Sequence, residues 1–135
     1  MKYLVDANVL SEATRPEPHA AVVQWLRKHE SKLVVNPIVL GEIEYGIGLT
    51  PSPRKKKELQ RWYAEGLQHL RVVDLDSGTA SVWAALLVRL KKEGRAMPVK
   101  DSLIAASALQ HQLTIVTRNT GDFRNARVPL IDPFE

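Results

Sequence analysis

Tyr3-Leu4-Val5-Asp6 is a short apolar run that stops directly at an acid, and it predicts the first strand of the fold. A similar run, Leu33-Val34-Val35, is closed by Asn36-Pro37, and residues 114–117 form a third. Continuous apolar runs bounded by turn residues indicate strands buried on both faces, as in parallel sheets. The two remaining predicted strands cover residues 71–75 and 128–131.

Helical segments alternate with these strands. Apolar residues at helical spacing predict helices over residues 19–30, 38–49, 54–70, 80–93 and 101–113. The last of these is apolar almost all round, so we expect it to be buried on most sides. Residues 118–125 are predicted to form a polar loop. The alternation predicts one α/β domain over residues 1–135, with a central, mostly parallel twisted sheet between helical layers.

The composition narrows the class of protein. The 135 residues include no cysteine, which excludes disulfides and thiolate zinc sites and suits a reducing cytoplasm, the expected location. The N-terminus reaches Asp6 after three apolar residues, too few for a signal peptide, and no window approaches the roughly 20 apolar residues of a membrane helix. We therefore expect no membrane partner. The net charge of +4 weakly favours a polyanionic partner.

Four acids fall where the carboxyl ends of the predicted strands lead into loops and helices. Asp6 follows the first strand, and Glu42 lies in the first turns of the helix after the second. Asp101 lies in the first turn of the buried helix, and Asp122 follows the strand at 114–117. Ligands of open α/β sheets bind at this edge. Three of the acids also have local explanations. Asp6 is a possible helix N-cap, Asp101 a helix N-terminal acid, and Asp122 a turn residue.

Glu42 has no such local explanation. None of its helical neighbours is basic, these being Ile38, Val39, Tyr45 and Gly46. A carboxylate on an apolar helix face needs a distant cation, a proton or a metal ion. If the four carboxylates converge, they cannot all ionise without a compensating cation. Oxygen ligands without cysteine favour Mg²⁺, or Mn²⁺ as a substitute, over zinc.

Four segments resemble, in the same order, the motifs of PIN-domain nucleases. They are Tyr3-Leu4-Val5-Asp6-Ala7-Asn8-Val9-Leu10-Ser11-Glu12, Leu40-Gly41-Glu42-Ile43-Glu44-Tyr45-Gly46-Ile47, Pro98-Val99-Lys100-Asp101-Ser102-Leu103-Ile104-Ala105-Ala106 and Thr117-Arg118-Asn119-Thr120-Gly121-Asp122-Phe123. The resemblance covers nearly the whole chain. In its length and in the residues of these motifs, the chain is most similar to the VapC toxins of type II toxin–antitoxin pairs, in particular the FitB-like subgroup.

This resemblance implies a PIN-like three-layer α/β/α sandwich and a Mg²⁺-dependent endoribonuclease that hydrolyses RNA phosphodiester bonds. It implies Asp6 and Asp101 as the core metal ligands, with Glu42 and Asp122 as further ligands or as holders of water or a second metal. It also implies a homodimer and a cognate VapB-type antitoxin whose extended tail covers the acidic pocket. The apolar residues of the helix at 54–70 have two interpretations, a dimer surface or core packing; they are Leu59, Trp62, Tyr63 and Leu67.

Supporting roles follow from the positions of nearby polar residues. Hydrogen bonds from Asn8, Thr117 and Asn119 are expected to orient the carboxylates, with ordinary turn polarity as the alternative. Possible RNA contacts are Lys100, Arg118, Arg54, Lys55 and Lys56, each of which is alternatively a solvated charge. Two positions depart from the family pattern: Ala7 and Asn36 stand where many relatives carry a hydroxyl.

Two other classes of protein have a similar layout. A receiver domain shares the α/β fold and a Mg²⁺-bound acidic pocket, but it needs adjacent acids after the first strand, and here Ala7 follows Asp6. A catalytically inactive module that binds nucleic acid or a partner would keep the fold alone. The presence of all four acids argues against that alternative.

Overall fold

The computed structural model describes all 135 residues, which form five strands and seven α-helices. The strands are β1 Tyr3–Val5, β2 Leu33–Val35, β3 Arg71–Val72, β4 Thr114–Val116 and β5 Leu130–Ile131. The helices are α1 Ala7–Glu12, α2 Ala20–Lys28, α3 Pro37–Gly48, α4 Pro53–Gly66, α5 Ser77–Lys92, α6 Val99–His111 and α7 Thr120–Phe123. Two short 3-10 turns cover Glu30–Lys32 and Arg124–Ala126.

The strands form a single sheet in the order β3-β2-β1-β4-β5, and every pairing is parallel. Helices flank this sheet, which confirms the predicted α/β architecture and makes the sheet wholly rather than mostly parallel. After β1, the chain adds β2 and β3 on one side of that strand, and it then adds β4 and β5 on the other side. The carboxyl ends of β1 and β4 therefore lie beside the switch point of the sheet, where open α/β folds place their ligands.

The central strands form the core of the molecule. Leu4, Val34 and Ile115, from three neighbouring strands, are each fully buried. This burial on both faces explains why the strands read as continuous apolar runs. The middle of helix α6, residues 104–108, is buried as expected from its apolar sequence, and its small residues Ala105 and Ala108 allow close packing. Of the four apolar residues in and just after α4, Leu67 belongs to the main core, whereas Leu59, Trp62 and Tyr63 pack against it and stay partly exposed. Core packing therefore accounts for all four, and their role in a dimer surface stays a prediction.

Side-chain caps fix where several helices begin. Asp76 and Thr79 form a capping box at the start of α5, and Ser52 accepts a hydrogen bond from Lys55 N at the start of α4. At the other end of α5, Gly94 adopts a positive φ of 68°. Glycine is favoured at this position because residues with a Cβ are strained there.

The prediction of a polar loop at residues 118–125 was wrong. This segment contains helix α7 and the start of a 3-10 turn, because Phe123 and Ala126 are almost fully buried and anchor it to the core. Helix α1 was also not predicted, since six residues are too few for a clear helical period. The edge strand β3 ends at Val72 rather than at Leu75. No helix of the structure is both long and apolar enough to cross a membrane.

Candidate active site

Asp6 stands at the carboxyl end of β1 and is the N-cap of α1. Its side chain is 5% exposed, and both of its oxygens have partners. The backbone N–H of Ala7 donates to Oδ1 at 2.8 Å, and the Thr117 hydroxyl donates to Oδ2 at 2.8 Å. Burial raises the pKa of Asp6, while the hydrogen bonds from Thr117 and Ala7 act in the opposite direction. The capping role and a ligand role are compatible, because a carboxylate oxygen accepts more than one interaction.

Two of the three predicted supporting side chains contact Asp6. The Asn8 amide donates to Asp6 Oδ2 at 3.3 Å, and its own oxygen accepts the Arg118 N–H at 3.2 Å. Thr117, fully buried after β4, joins β4 to Asp6. Asn119 contributes differently from our expectation, because its backbone N–H, and not its side chain, donates to Thr117 Oγ1 at 3.0 Å. Asn119 therefore orients the hydroxyl that orients the carboxylate.

Glu42 forms an ion pair with a lysine that is distant in sequence. Its Oε2 lies 3.6 Å from Lys100 Nζ, across the gap between α3 and α6. Its other oxygen, Oε1, is buried and has no hydrogen-bond partner. Burial raises the pKa of Glu42, and the negative charge of Asp6 raises it further. Lys100, which the sequence left as either a solvated charge or a phosphate contact, is thus a counter-ion of the acidic site, although its side chain is 66% exposed.

The charges of all three other acids affect the pKa of Asp101. Its pKa is raised to about 6, first by burial and then by the negative charges of Asp6, Asp122 and Glu42. Asp122 is exposed on α7, and its charge also raises the pKa of Asp6. The structure therefore brings the four acids into one electrostatic cluster at the edge of the sheet, although the sequence positions range from 6 to 122.

The cluster fits a hard cation by its chemistry. It offers carboxylate oxygens only, and Glu42 Oε1 is an unsatisfied buried acceptor, which is costly unless a cation or donor reaches it. In this conformation, however, no three acidic or histidine side chains are close enough to form a complete ligand set. Ionised carboxylates repel one another without a cation, which favours separated side chains.

Comparison with known proteins agrees with this geometry. The PIN domain family model matches residues 3–128, a span that contains all four acids. The chain belongs to the PIN-domain family. Toxin FitB of Neisseria gonorrhoeae is 33% identical over 135 residues, covering 97% of each chain, and VapC ribonuclease Y4jK of Sinorhizobium fredii is 30% identical, covering 98% of this chain and 97% of that protein. The crystal structure of FitAcB from Neisseria gonorrhoeae superposes with a TM-score of 0.92 at 32% identity, covering 98% of this chain and 99% of that one.

Membership of the PIN-domain family confirms the resemblance found in the sequence and makes the chain a nuclease, not a receiver domain. It also confirms the three-layer α/β/α architecture. The relatives named toxin and ribonuclease match over almost their entire length, so the similarity is not restricted to the motif segments.

One positioning residue of this PIN domain was missed by sequence reasoning. Asn36 is fully buried and caps α3 by accepting the Val39 N–H at 3.0 Å. Its amide group also donates to Ser107 Oγ of α6 at 3.1 Å. Asn36 therefore joins the helix of Glu42 to the helix of Asp101. The Asn36 side chain thus supplies both the cap and the bridge.

The first turn of α6 has a second anchor. Ser102 is fully buried, accepts a hydrogen bond from Trp83 Nε1 at 2.9 Å and donates to Val99 O at 2.6 Å. This network fixes the turn that carries Asp101 against α5. A serine inside an apolar helix is the only sequence signal that would have suggested it, because polar groups in such positions need partners.

The basic residues predicted as RNA contacts differ in their contacts within the protein. Lys55 Nζ donates to Thr14 O at 3.2 Å and so joins α4 to the end of α1. The Arg118 guanidinium lies 4.6 Å from the centre of the Phe134 ring, a cation–π contact. The remaining two are Arg54, which is exposed and 3.5 Å from Glu58, and Lys56, which is half-buried on α4.

Proposed function

We propose that this PIN domain is a Mg²⁺-dependent endoribonuclease and the toxin of a VapBC-type toxin–antitoxin pair. In this proposal Asp6 and Asp101 are the principal metal ligands, and Glu42 and Asp122 complete the site. The observation that carries it is the buried Glu42 Oε1 without a partner, in a cluster where the charges of Asp6, Asp122 and Glu42 all raise the pKa of Asp101. A cluster that holds several carboxylates at the ligand-binding edge of a sheet is suited to a divalent cation.

A bound divalent cation supplies Lewis acidity, which lowers the pKa of the attacking water and offsets the charge that develops on the phosphate. Mg²⁺ is the expected ion and Mn²⁺ an expected substitute, because every side-chain donor is a carboxylate oxygen. The buried Glu42 Oε1 is one acceptor that such an ion would satisfy. Lys100 competes for Glu42, so we expect its ammonium group to move towards the substrate phosphates when the site is filled.

The protein's own groups position and hold the reacting carboxylates. Thr117 and Ala7 N–H fix the two oxygens of Asp6, which limits their rotation. The bridge from Asn36 to Ser107 joins the start of α3, which carries Glu42, to α6, which carries Asp101. In-line hydrolysis of a phosphodiester depends mainly on this kind of positioning and electrostatics, and no protein nucleophile is required.

The substrate and the protein partner that we propose are inferred from the names of the relatives. The names toxin FitB and VapC ribonuclease support RNA as the substrate and a cognate VapB-type antitoxin as the inhibitor of this chain. We expect the antitoxin tail to place a basic side chain among the four acids, where it would satisfy their charge. We also propose one domain over residues 1–135, a homodimer, and a cytoplasmic location, where an RNA substrate is found. Sedimentation of the isolated chain at micromolar concentration tests the dimer, since a monomer would remove it.

Incubation with total RNA tests the activity most simply. Wild-type protein with Mg²⁺ is expected to produce new RNA ends, and the same protein in EDTA is not. The variant Asp6→Asn should abolish cleavage, because it removes a ligand charge, while the far-UV circular dichroism spectrum stays that of the wild type. RNA cleavage by Asp6→Asn at the wild-type rate would refute the assignment.

A further inference from the structure

A cavity of about 480 Å³ opens beside the acidic cluster, between the first turns of α3 and the start of α6. Its wall is formed by six residues: Pro37, Ile38, Gly41, Glu42, Tyr45 and Lys100. Glu42 belongs both to this cavity and to the acidic cluster. Anything that fills the cavity is therefore in contact with a residue assigned to the active site.

Tyr45 is the aromatic residue of the cavity wall. Its side chain is 70% exposed, and it stands one helical turn after Glu42 on the same face of α3. Another tyrosine nearby, Tyr63, is half-buried and donates its hydroxyl to Glu44 Oε2 at 3.1 Å. Tyr45, by contrast, is largely exposed and lines the cavity.

Gly41 lines the cavity and leaves space in it, because it has no side chain. It lies one turn before Tyr45 on α3, and a Cβ placed there would meet no atom within 4 Å. Space of this kind, between an exposed aromatic ring and the apolar side chains of Pro37 and Ile38, suits a flat group with apolar faces. The Lys100 ammonium on the same wall attracts a negative charge attached to that group.

We propose that this cavity is a nucleobase subsite, in which Tyr45 stacks on the base of a nucleotide next to the scissile phosphate. The proposal rests on the proposed ribonuclease function and deepens it. Single-stranded RNA is commonly bound through bases stacked on aromatic side chains, and such stacking tolerates different bases. A cavity of about 480 Å³ leaves room for the base and part of its ribose. Tyr45 is thus a substrate-positioning residue.

Abasic substrates test the stacking directly. The probe is a short single-stranded RNA that carries one mapped cleavage site, together with derivatives that lack one base at each position next to that site. Tyr45→Ala is expected to lower kcat/KM on the intact RNA by roughly tenfold, the usual effect of losing one stacked base. Tyr45→Phe should keep the wild-type rate, because the ring is retained. At one position, the abasic RNA should be cleaved equally slowly by wild type and Tyr45→Ala.

Two further variants separate stacking from general disturbance of α3. Leu49→Ala is the matched control, because Leu49 is 64% exposed, directly follows α3 as its C-cap residue and does not line the cavity. It should leave cleavage unchanged. Gly41→Leu fills the cavity without removing any group, and it should lower cleavage of the intact RNA but not of the abasic RNA.

A binding measurement makes the test independent of catalysis. RNA with 2-aminopurine at the position that the abasic substrates identify is titrated into Asp6→Asn protein, and its fluorescence should be quenched on binding. Quenching should be lost in Asp6→Asn/Tyr45→Ala and kept in Asp6→Asn/Leu49→Ala. If wild type never cleaves RNA, the proposed function fails, whereas quenching still reports on the subsite.

Three results would overturn the subsite while leaving the nuclease intact. The first is Tyr45→Ala cleaving intact RNA at the wild-type rate. The second is an equal loss for Tyr45→Ala on intact and all abasic substrates. The third is a change of oligomeric state in Tyr45→Ala with no change in base dependence, which would make this face a contact between two copies of the chain.

Discussion

Asp101 holds a proton more firmly than an ordinary aspartate, since its pKa is about 6 instead of 3.8. Between these two values the folded protein binds more protons than the unfolded chain at this position. The free energy of unfolding therefore falls as the pH rises from about 4 to 6, and the destabilisation is complete above pH 6. Burial of the Asp101 carboxyl, followed by charge repulsion within the acidic cluster, thus reduces stability at neutral pH.

Asp101→Asn should stabilise the cation-free protein at about pH 7.5 by about 1 kcal/mol. The full pKa difference corresponds to about 3 kcal/mol, which we reduce because the side chain is half-exposed and solvent screens its charge. Below about pH 4 the variant should match the wild type, because Asp101 is then protonated. Urea unfolding in EDTA at both pH values measures the difference, and equal stability at pH 7.5 would contradict a destabilising charge on Asp101.

Thr117→Val tests the hydroxyl that holds Asp6. The change keeps the shape of a fully buried side chain but removes the 2.8 Å hydrogen bond to Asp6 Oδ2. The pKa of Asp6 should rise further, and kcat/KM for RNA cleavage should fall by about tenfold, a typical cost of losing a partner that orients a metal ligand. The acid limb of the pH profile should move to higher pH.

Thr117→Ser is the control for this substitution because it retains the hydroxyl. It should keep the wild-type pH profile. A profile that is identical in wild type and Thr117→Val would mean that the hydroxyl does not support Asp6.

At the scale of elements, one buried amide connects the helices that carry two of the acids. Asn36→Ala removes the cap of α3 and the bridge to Ser107, whereas Ser107→Ala removes the bridge alone. We expect costs of about 2 kcal/mol for Asn36→Ala and about 1 kcal/mol for Ser107→Ala in urea unfolding. The double variant should cost less than the sum of the two, since both single changes break the same hydrogen bond.

An additive result in this cycle would show that the bridge contributes nothing. A cost below about 0.5 kcal/mol for Asn36→Ala, within the ordinary range of surface substitutions, would also remove the role of Asn36 as a cap.

Local patterns explain why much of the fold and the four acids could be predicted. Each acid follows an apolar run or begins a periodic helix, and parallel topology then gathers the carboxyl ends of the strands at one edge. The Asn36–Ser107 bridge could not be predicted, because its partners are 71 positions apart and neither has a local signature. The same holds for the pairing of Lys100 with Glu42. Helix α7 was missed because tertiary burial of Phe123, and not periodicity, stabilises it.

At the scale of the molecule, the chain carries a net charge of +4 although it also carries the acidic cluster. If α4 binds phosphates, Arg54→Gln/Lys56→Gln should reduce the salt dependence of RNA binding, by about 0.7 in slope for each phosphate of a single strand that is no longer neutralised. Lys91→Gln/Lys92→Gln removes the same charge from the end of α5 and is the matched control. Filter binding by the Asp6→Asn protein across salt concentrations measures the slope. Equal slopes in both double variants would exclude a specific role for α4.

In the proposed site, four acids that are distant in sequence share one divalent ion. Anomalous diffraction from crystals grown with Mn²⁺ tests this claim most directly, because it locates the ion without assumptions about the substrate. We predict a peak bound by Asp6 and Asp101, with Glu42 or Asp122 nearby, and its loss in the Asp6→Asn variant. A saturating Mn²⁺ concentration that gives no peak among these four side chains, or a peak that survives in Asp6→Asn, would contradict the account.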